Sequence, residues 1–117
     1  MRVLVVEDEP LVRMAAEEDL IELGCAVTAV DNGDAACAMF ETGEVFDVLF
    51  TDIRMPGNLD GWELAKRARQ LLPTVGVIYA SGYPGTMVEP LPNSYFLKKP
   101  YRLVELKDAV NSCRSCR

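Results

Sequence analysis

Val3-Leu4-Val5-Val6 is a short, mostly β-branched run that stops abruptly at Glu7-Asp8, and the same arrangement recurs downstream. Val45 to Thr51 (Val-Phe-Asp-Val-Leu-Phe-Thr) also ends at an acid, Asp52. Runs of this length and composition read as strands buried on both faces. Between them lie stretches of helical spacing. From Leu11 to Leu23, apolar residues fall at Leu11, Met14, Ala15, Leu20 and Leu23, and Gly24 follows as a stop. Ala26 to Val30 predicts a second strand. Asp34 to Glu41 predicts a short helix between the Asn32-Gly33 turn and the break at Gly43. Residues 62 to 72 predict a helix closed by Pro73, Val75 to Tyr79 a fourth strand, Tyr95 to Leu97 a fifth, and Arg102 to Ser112 a last helix. Strands alternating with helices imply an α/β fold, a doubly wound parallel sheet with right-handed crossovers. A length of 117 residues, without repeats or linkers, fits one domain over residues 1–117.

In sheets of this kind the ligand site lies beyond the carboxyl ends of the strands. The residues at those ends are Glu7 and Asp8 after the first strand, Asp52 after the third, Ser81 after the fourth and Lys99 after the fifth. Each alone has an ordinary explanation: a polar loop, a cap, a turn before Gly82, a solvated surface charge. Together they bring three carboxylates, a hydroxyl and a lysine to one edge. Clustered carboxylates repel one another unless a hard cation sits among them, and Mg²⁺ suits a few carboxylates plus waters. The lysine and the hydroxyl can contact phosphoryl oxygens, which leaves a carboxylate to act as a nucleophile of the aspartyl-phosphate type. Such transfer is mostly positioning and charge neutralisation.

Composition removes competing chemistries. There is no histidine, so no Ser-His-Asp triad, histidine base or histidine-containing metal site can form. A net charge of −6 disfavours nucleic-acid binding. No apolar run approaches a membrane span or a secretory signal. Cys113-Arg-Ser-Cys116 has redox or metal spacing but no second pair to complete a zinc site, and the four cysteines fit a reduced, cytoplasmic setting better than a disulfide framework.

The local contexts carry a family resemblance over essentially the whole chain. Val3 to Pro10 (with Glu7-Asp8-Glu9), Thr51-Asp52-Ile53-Arg54-Met55-Pro56-Gly57, Asp60-Gly61-Trp62, Ala80-Ser81-Gly82-Tyr83 and Lys99-Pro100-Tyr101 resemble the receiver domain of two-component response regulators. The resemblance implies a flavodoxin-like, five-stranded sheet of order 2-1-3-4-5. It implies that Asp52 accepts a phosphoryl group, that Glu7, Asp8, Asp52 and the backbone carbonyl of Arg54 hold Mg²⁺, and that Ser81 and Lys99 contact the phosphoryl group. Ser81 and Phe96 take the switch positions. The phosphoryl source it implies is a histidine kinase or a histidine phosphotransfer protein, and often a small phosphodonor; the downstream protein is unknown. The side chains two after the acceptor and two after the switch hydroxyl, Arg54 and Tyr83, tune dephosphorylation in the family, and their bulk predicts slow hydrolysis here.

Two departures stand out. The segment between Asp52 and Gly61 is one residue longer than the common pattern, around Gly57-Asn58-Leu59. From Gly82 to Tyr95 the chain holds three prolines and two glycines where receivers place their fourth helix, which predicts a shortened helix or a loop there. Dimerisation through that face is then doubtful, and a monomer or weak dimer is expected. The face Leu11, Met14, Glu17, Glu18 reads equally as a kinase-docking surface and as ordinary core with solvated glutamates.

With Arg117 just past the last helix, the direct reading is a single-domain regulator acting by protein contact, with a fragment of a hybrid histidine kinase or a longer regulator as the competing context. Other functional classes remain: a receiver-shaped docking module that is never phosphorylated, a flavin carrier, or a phosphatase with an Asp nucleophile. The flavin carrier would set Glu7-Asp8-Glu9 against a phosphate. The phosphatase would want a second Asp where Arg54 stands.

Overall fold

The computed structural model describes residues 1–54, 59–82 and 91–115. Its strands are β1 (Arg2–Val6), β2 (Ala26–Val30), β3 (Val48–Asp52), β4 (Gly76–Ser81) and β5 (Ser94–Lys98). Its helices are α1 (Pro10–Glu22), α2 (Gly33–Glu41), α3 (Gly61–Leu71) and α4 (Leu103–Ser115). All strands run parallel in the order β2-β1-β3-β4-β5. This is the doubly wound sheet that the alternating pattern predicts.

Alternation along each strand sorts the core into two layers. Val3 and Val5 join Val48, Phe50, Ile78 and Ala80 beneath α1 and α4, where Ala16, Leu20, Leu106 and Val110 close the layer. Leu4 and Val6 face the other way with Leu49, Val77 and Tyr79, against Phe40 of α2 and Leu64 and Ala68 of α3. β1, β3 and β4 are therefore apolar on both faces, and their polar residues can only gather where the strands end. The starts of α2 and α3 are held by side chains. Asn32 Oδ1 accepts from the Ala35 N–H at 2.7 Å, and Asp60 Oδ1 accepts from the Glu63 N–H at 2.9 Å.

Two details differ from the sequence reading. β3 begins at Val48 rather than Val45, because Val45 is exposed and Asp47 is tied to the Arg2 backbone: its N–H donates to the Arg2 carbonyl and its carboxylate accepts the Arg2 N–H. In α1 the buried residues are Ala16 and Leu20, while Leu11 and Met14 lie 78% and 54% exposed. Met14 stands two positions from Ala16 and so projects from nearly the opposite side of the helix. The Pro- and Gly-rich stretch expected to replace a helix falls mostly on residues 83–90, which lie outside the described residues, as do Gly57 and Asn58 of the insertion.

Candidate functional site

The carboxyl ends of β1, β3, β4 and β5 meet at one edge. Glu7 follows β1, is 3% exposed, and directs its carboxylate into the cleft. Asp8 and Asp52 are half-buried beside it, and one carboxylate oxygen from each of the three lies within 4.8 Å of the others. Lys99, one residue past β5, reaches across. Its Nζ stands 2.5 Å from Glu7 Oε1 and 3.4 Å from Asp52 Oδ2. Ser81 is the last residue of β4 and is buried; its carbonyl accepts the Lys99 N–H at 3.0 Å, which ties the hydroxyl and the lysine to one backbone contact. Arg54 is exposed just beyond β3. Phe96, in the middle of β5, lies between Tyr95 and Leu97, which pack on the α1–α4 layer, so its ring projects on the opposite face and is 37% exposed.

The sequence-derived residues Glu7, Asp8, Asp52, Ser81 and Lys99 therefore come together, with Arg54 adjoining. Phe96 is not among the residues brought together there. Tyr83 and Cys116 lie outside the described residues. Cys113 is a buried thiol packed under β4, with Cys25 in the same layer, and Cys37 is buried in the other; burial pushes the Cys37 thiol up.

The electrostatics follow from crowding. Burial pushes the Glu7 carboxyl above its usual range; the Lys99 ammonium and the Glu9 N–H pull it back, and the Asp52 charge and Asp8 push it up again. Burial also works against the Lys99 ammonium. The Glu7 hydrogen bond and the charges of Asp52 and Glu7 outweigh it, so Lys99 sits above its ordinary value and stays charged at neutral pH. One ammonium thus faces three carboxylates, which leaves unbalanced negative charge in a cleft lined by hard oxygen donors. That donor set fits a divalent cation of the Mg²⁺ type.

Three supporting contacts had no signal in the sequence. Arg13 Nη1 donates to the Glu7 carbonyl at 3.0 Å, the Glu9 N–H donates to Glu7 Oε2 at 3.1 Å, and buried Thr51 donates its hydroxyl to the Asp52 carbonyl at 2.8 Å. The first two depend on how the turn after β1 closes, the third on a side-chain rotamer at the end of β3. Residue spacing alone does not specify that.

Comparison with known proteins agrees with this geometry. The model of the response regulator receiver domain family matches residues 3–111. Response regulator receiver protein CpdR of Brucella abortus is 32% identical over 113 residues, covering 93% of this chain and 92% of that protein. Histidine kinase 2 of Arabidopsis thaliana is 40% identical over 81 residues, which are 69% of this chain and 7% of the kinase. The chain thus spans nearly all of one relative and a small part of the other. Among solved structures, the receiver domain of sensor histidine kinase PA1611 from Pseudomonas aeruginosa, with a magnesium ion coordinated in its active-site cleft, superposes with a TM-score of 0.82 at 27% identity over 97% of each chain. The two-layered sheet of order 2-1-3-4-5, with its acids and lysine at one edge, belongs to a chain of the response regulator receiver domain family, a signalling domain of two-component phosphorelays.

Proposed function

We propose that residues 1–117 act as a single phosphoacceptor domain in which Asp52 takes a phosphoryl group from a histidine kinase or histidine phosphotransfer protein. The observation that carries this reading is the convergence of Glu7, Asp8 and Asp52 oxygens within 4.8 Å of one another, with Lys99 Nζ bridging Glu7 and Asp52. Mg²⁺ would be held by Glu7, Asp8, Asp52 and the Arg54 carbonyl. Bound there, the ion would supply charge neutralisation for the transferring phosphoryl group. The magnesium in the related PA1611 receiver supports the assignment.

The rest is the work of this chain. A carboxylate oxygen of Asp52 attacks phosphorus; the new O–P bond forms as the bond to the donor's nitrogen or oxygen breaks, and the donor leaves with that electron pair. Lys99, charged at neutral pH, faces the oxygens on which negative charge accumulates, and the Ser81 hydroxyl is placed at the same strand edge to donate to one of them. No proton needs to leave Asp52, which fits a chain without histidine. The product alters protein–protein contacts through Ser81 and Phe96. Apart from its own phosphorylation and dephosphorylation the domain catalyses nothing, and Arg54, exposed beside Asp52, slows hydrolysis by obstructing water.

Intact-mass spectrometry after incubation with acetyl phosphate tests the proposal. The expected result is an adduct of about 80 Da, one phosphoryl group, that requires Mg²⁺ and disappears in Asp52→Asn. Absence of the adduct with a phosphotransfer protein as donor as well would leave a docking module that works without phosphorylation.

A further inference from the structure

Glu7 is held by its backbone as firmly as by its side chain. Its N–H donates to the Val30 carbonyl at 3.1 Å, its Oε2 accepts the Glu9 N–H at 3.1 Å, and its Oε1 accepts from Lys99. The remaining group is its carbonyl, on a residue 3% exposed, and Arg13 Nη1 donates to it at 3.0 Å. Arg13 sits in the first turn of α1, and helical side chains lean toward the N-terminus, so its guanidinium folds back over the β1–α1 turn. Among the described residues Arg13 forms no ion pair; its bond goes to the backbone instead.

The Glu7 carbonyl belongs to the same peptide plane as the Asp8 N–H. Fixing that plane fixes where the Asp8 carboxylate leaves the chain. Without the guanidinium, a buried carbonyl loses its donor and the plane is free to turn. We infer that Arg13 is a positioning residue for the cation site: through the Glu7 carbonyl it holds the Glu7–Asp8 peptide in the orientation that brings both acids to one ion. The inference rests on the functional reading above and adds a residue to it. It has a distinctive sign. A guanidinium near a cation site repels the cation, so removing the charge should tighten Mg²⁺ binding if charge were all that mattered. If Arg13 positions the turn, removing it should weaken binding.

The experiment is calorimetric Mg²⁺ titration of the full chain and of Arg13→Met and Arg13→Lys, beside acetyl phosphate labelling at graded Mg²⁺. Arg13→Met is expected to bind Mg²⁺ about tenfold more weakly, with labelling restored near the unaltered rate at saturating Mg²⁺. Arg13→Lys, which keeps a donor, should recover part of the loss. Should Arg13→Met prove unfolded by circular dichroism, Arg13→Leu removes the same charge and the same donor and carries the same sign test. Binding by the neutral variant as tight as, or tighter than, that of the unaltered protein would overturn the inference and leave the functional reading standing. So would labelling that stays depressed at saturating Mg²⁺, because Arg13 would then serve the transfer itself. Failure of the unaltered protein to bind Mg²⁺ would overturn the functional reading and this inference with it.

Discussion

Gly61 shows how tightly the residues behind the site constrain it. Its N–H donates to the Ile53 carbonyl at 2.8 Å, and a Cβ at this position would stand 2.3 Å from the Asp52 carbonyl oxygen and 2.8 Å from the Ile53 Cα. Both neighbours are backbone, so neither can swing aside. Gly61→Ala must push the end of β3 away from the start of α3, and Asp52 moves with it. Overpacking of this kind costs about 1–3 kcal/mol. The urea midpoint of Gly61→Ala should fall accordingly, and labelling of Asp52 should slow even where the variant remains folded. An unchanged midpoint would mean that the α3 start has more freedom than the contact implies. Glu7 makes the complementary point. A carboxylate 3% exposed is costly unless paired, and Lys99 supplies the pairing from just past β5, 92 residues away in sequence.

At the scale of elements, α2 and α3 are fixed at their starts by side-chain caps. α3 is capped by Asp60, whose carboxylate accepts the Glu63 N–H, and on its inner side Trp62 packs against Tyr79 with ring centroids 4.4 Å apart. Asp60→Ala should cost about 1 kcal/mol of stability by removing the cap, and Asp60→Ser should restore most of it. Equal thermal midpoints for all three proteins would exclude capping as Asp60's role. β1, β3 and β4 were legible in the sequence because burial on both faces demands unbroken apolar runs, and the acids, Ser81 and Lys99 were legible because they stand where strands end. α1 was read less well. Its apolar residues occupy more than one face, and spacing does not say which face the sheet covers; the structure buries Ala16 and Leu20 and leaves Leu11 exposed. Arg13 was missed for a related reason. Its bond to the Glu7 carbonyl spans six residues across a strand–helix turn, and nothing in residue type marks an arginine that binds backbone rather than solvent.

Across the whole molecule, the two apolar layers meet the charged edge, and three groups titrate late because of it. Tyr79, buried between β4 and α3, is pushed up to about 12 by burial. Tyr101, whose ring packs edge-on against Phe50 at 6.0 Å, is pushed up to about 12 by burial first and then by the charges of Asp19 and Glu7. Lys99 also lies above its ordinary value, because its bond to Glu7 and the nearby carboxylates outweigh burial. In each case the folded protein holds the proton more firmly than the unfolded chain. The stability this confers is fully present below pH 10 for the tyrosines, and below pH 10.5 for Lys99, and is lost as pH rises through the folded values. A displacement from 10 to about 12 corresponds to about 2–3 kcal/mol for each tyrosine. The domain should therefore tolerate neutral and mildly alkaline pH, then lose several kcal/mol between pH 10 and pH 12. Urea midpoints measured across that interval test this, with Tyr101→Phe expected to remove about half of the tyrosine contribution. Tyrosinate absorbance in the folded protein should lag behind that in urea; coincident titrations would show that neither ring is shielded from solvent.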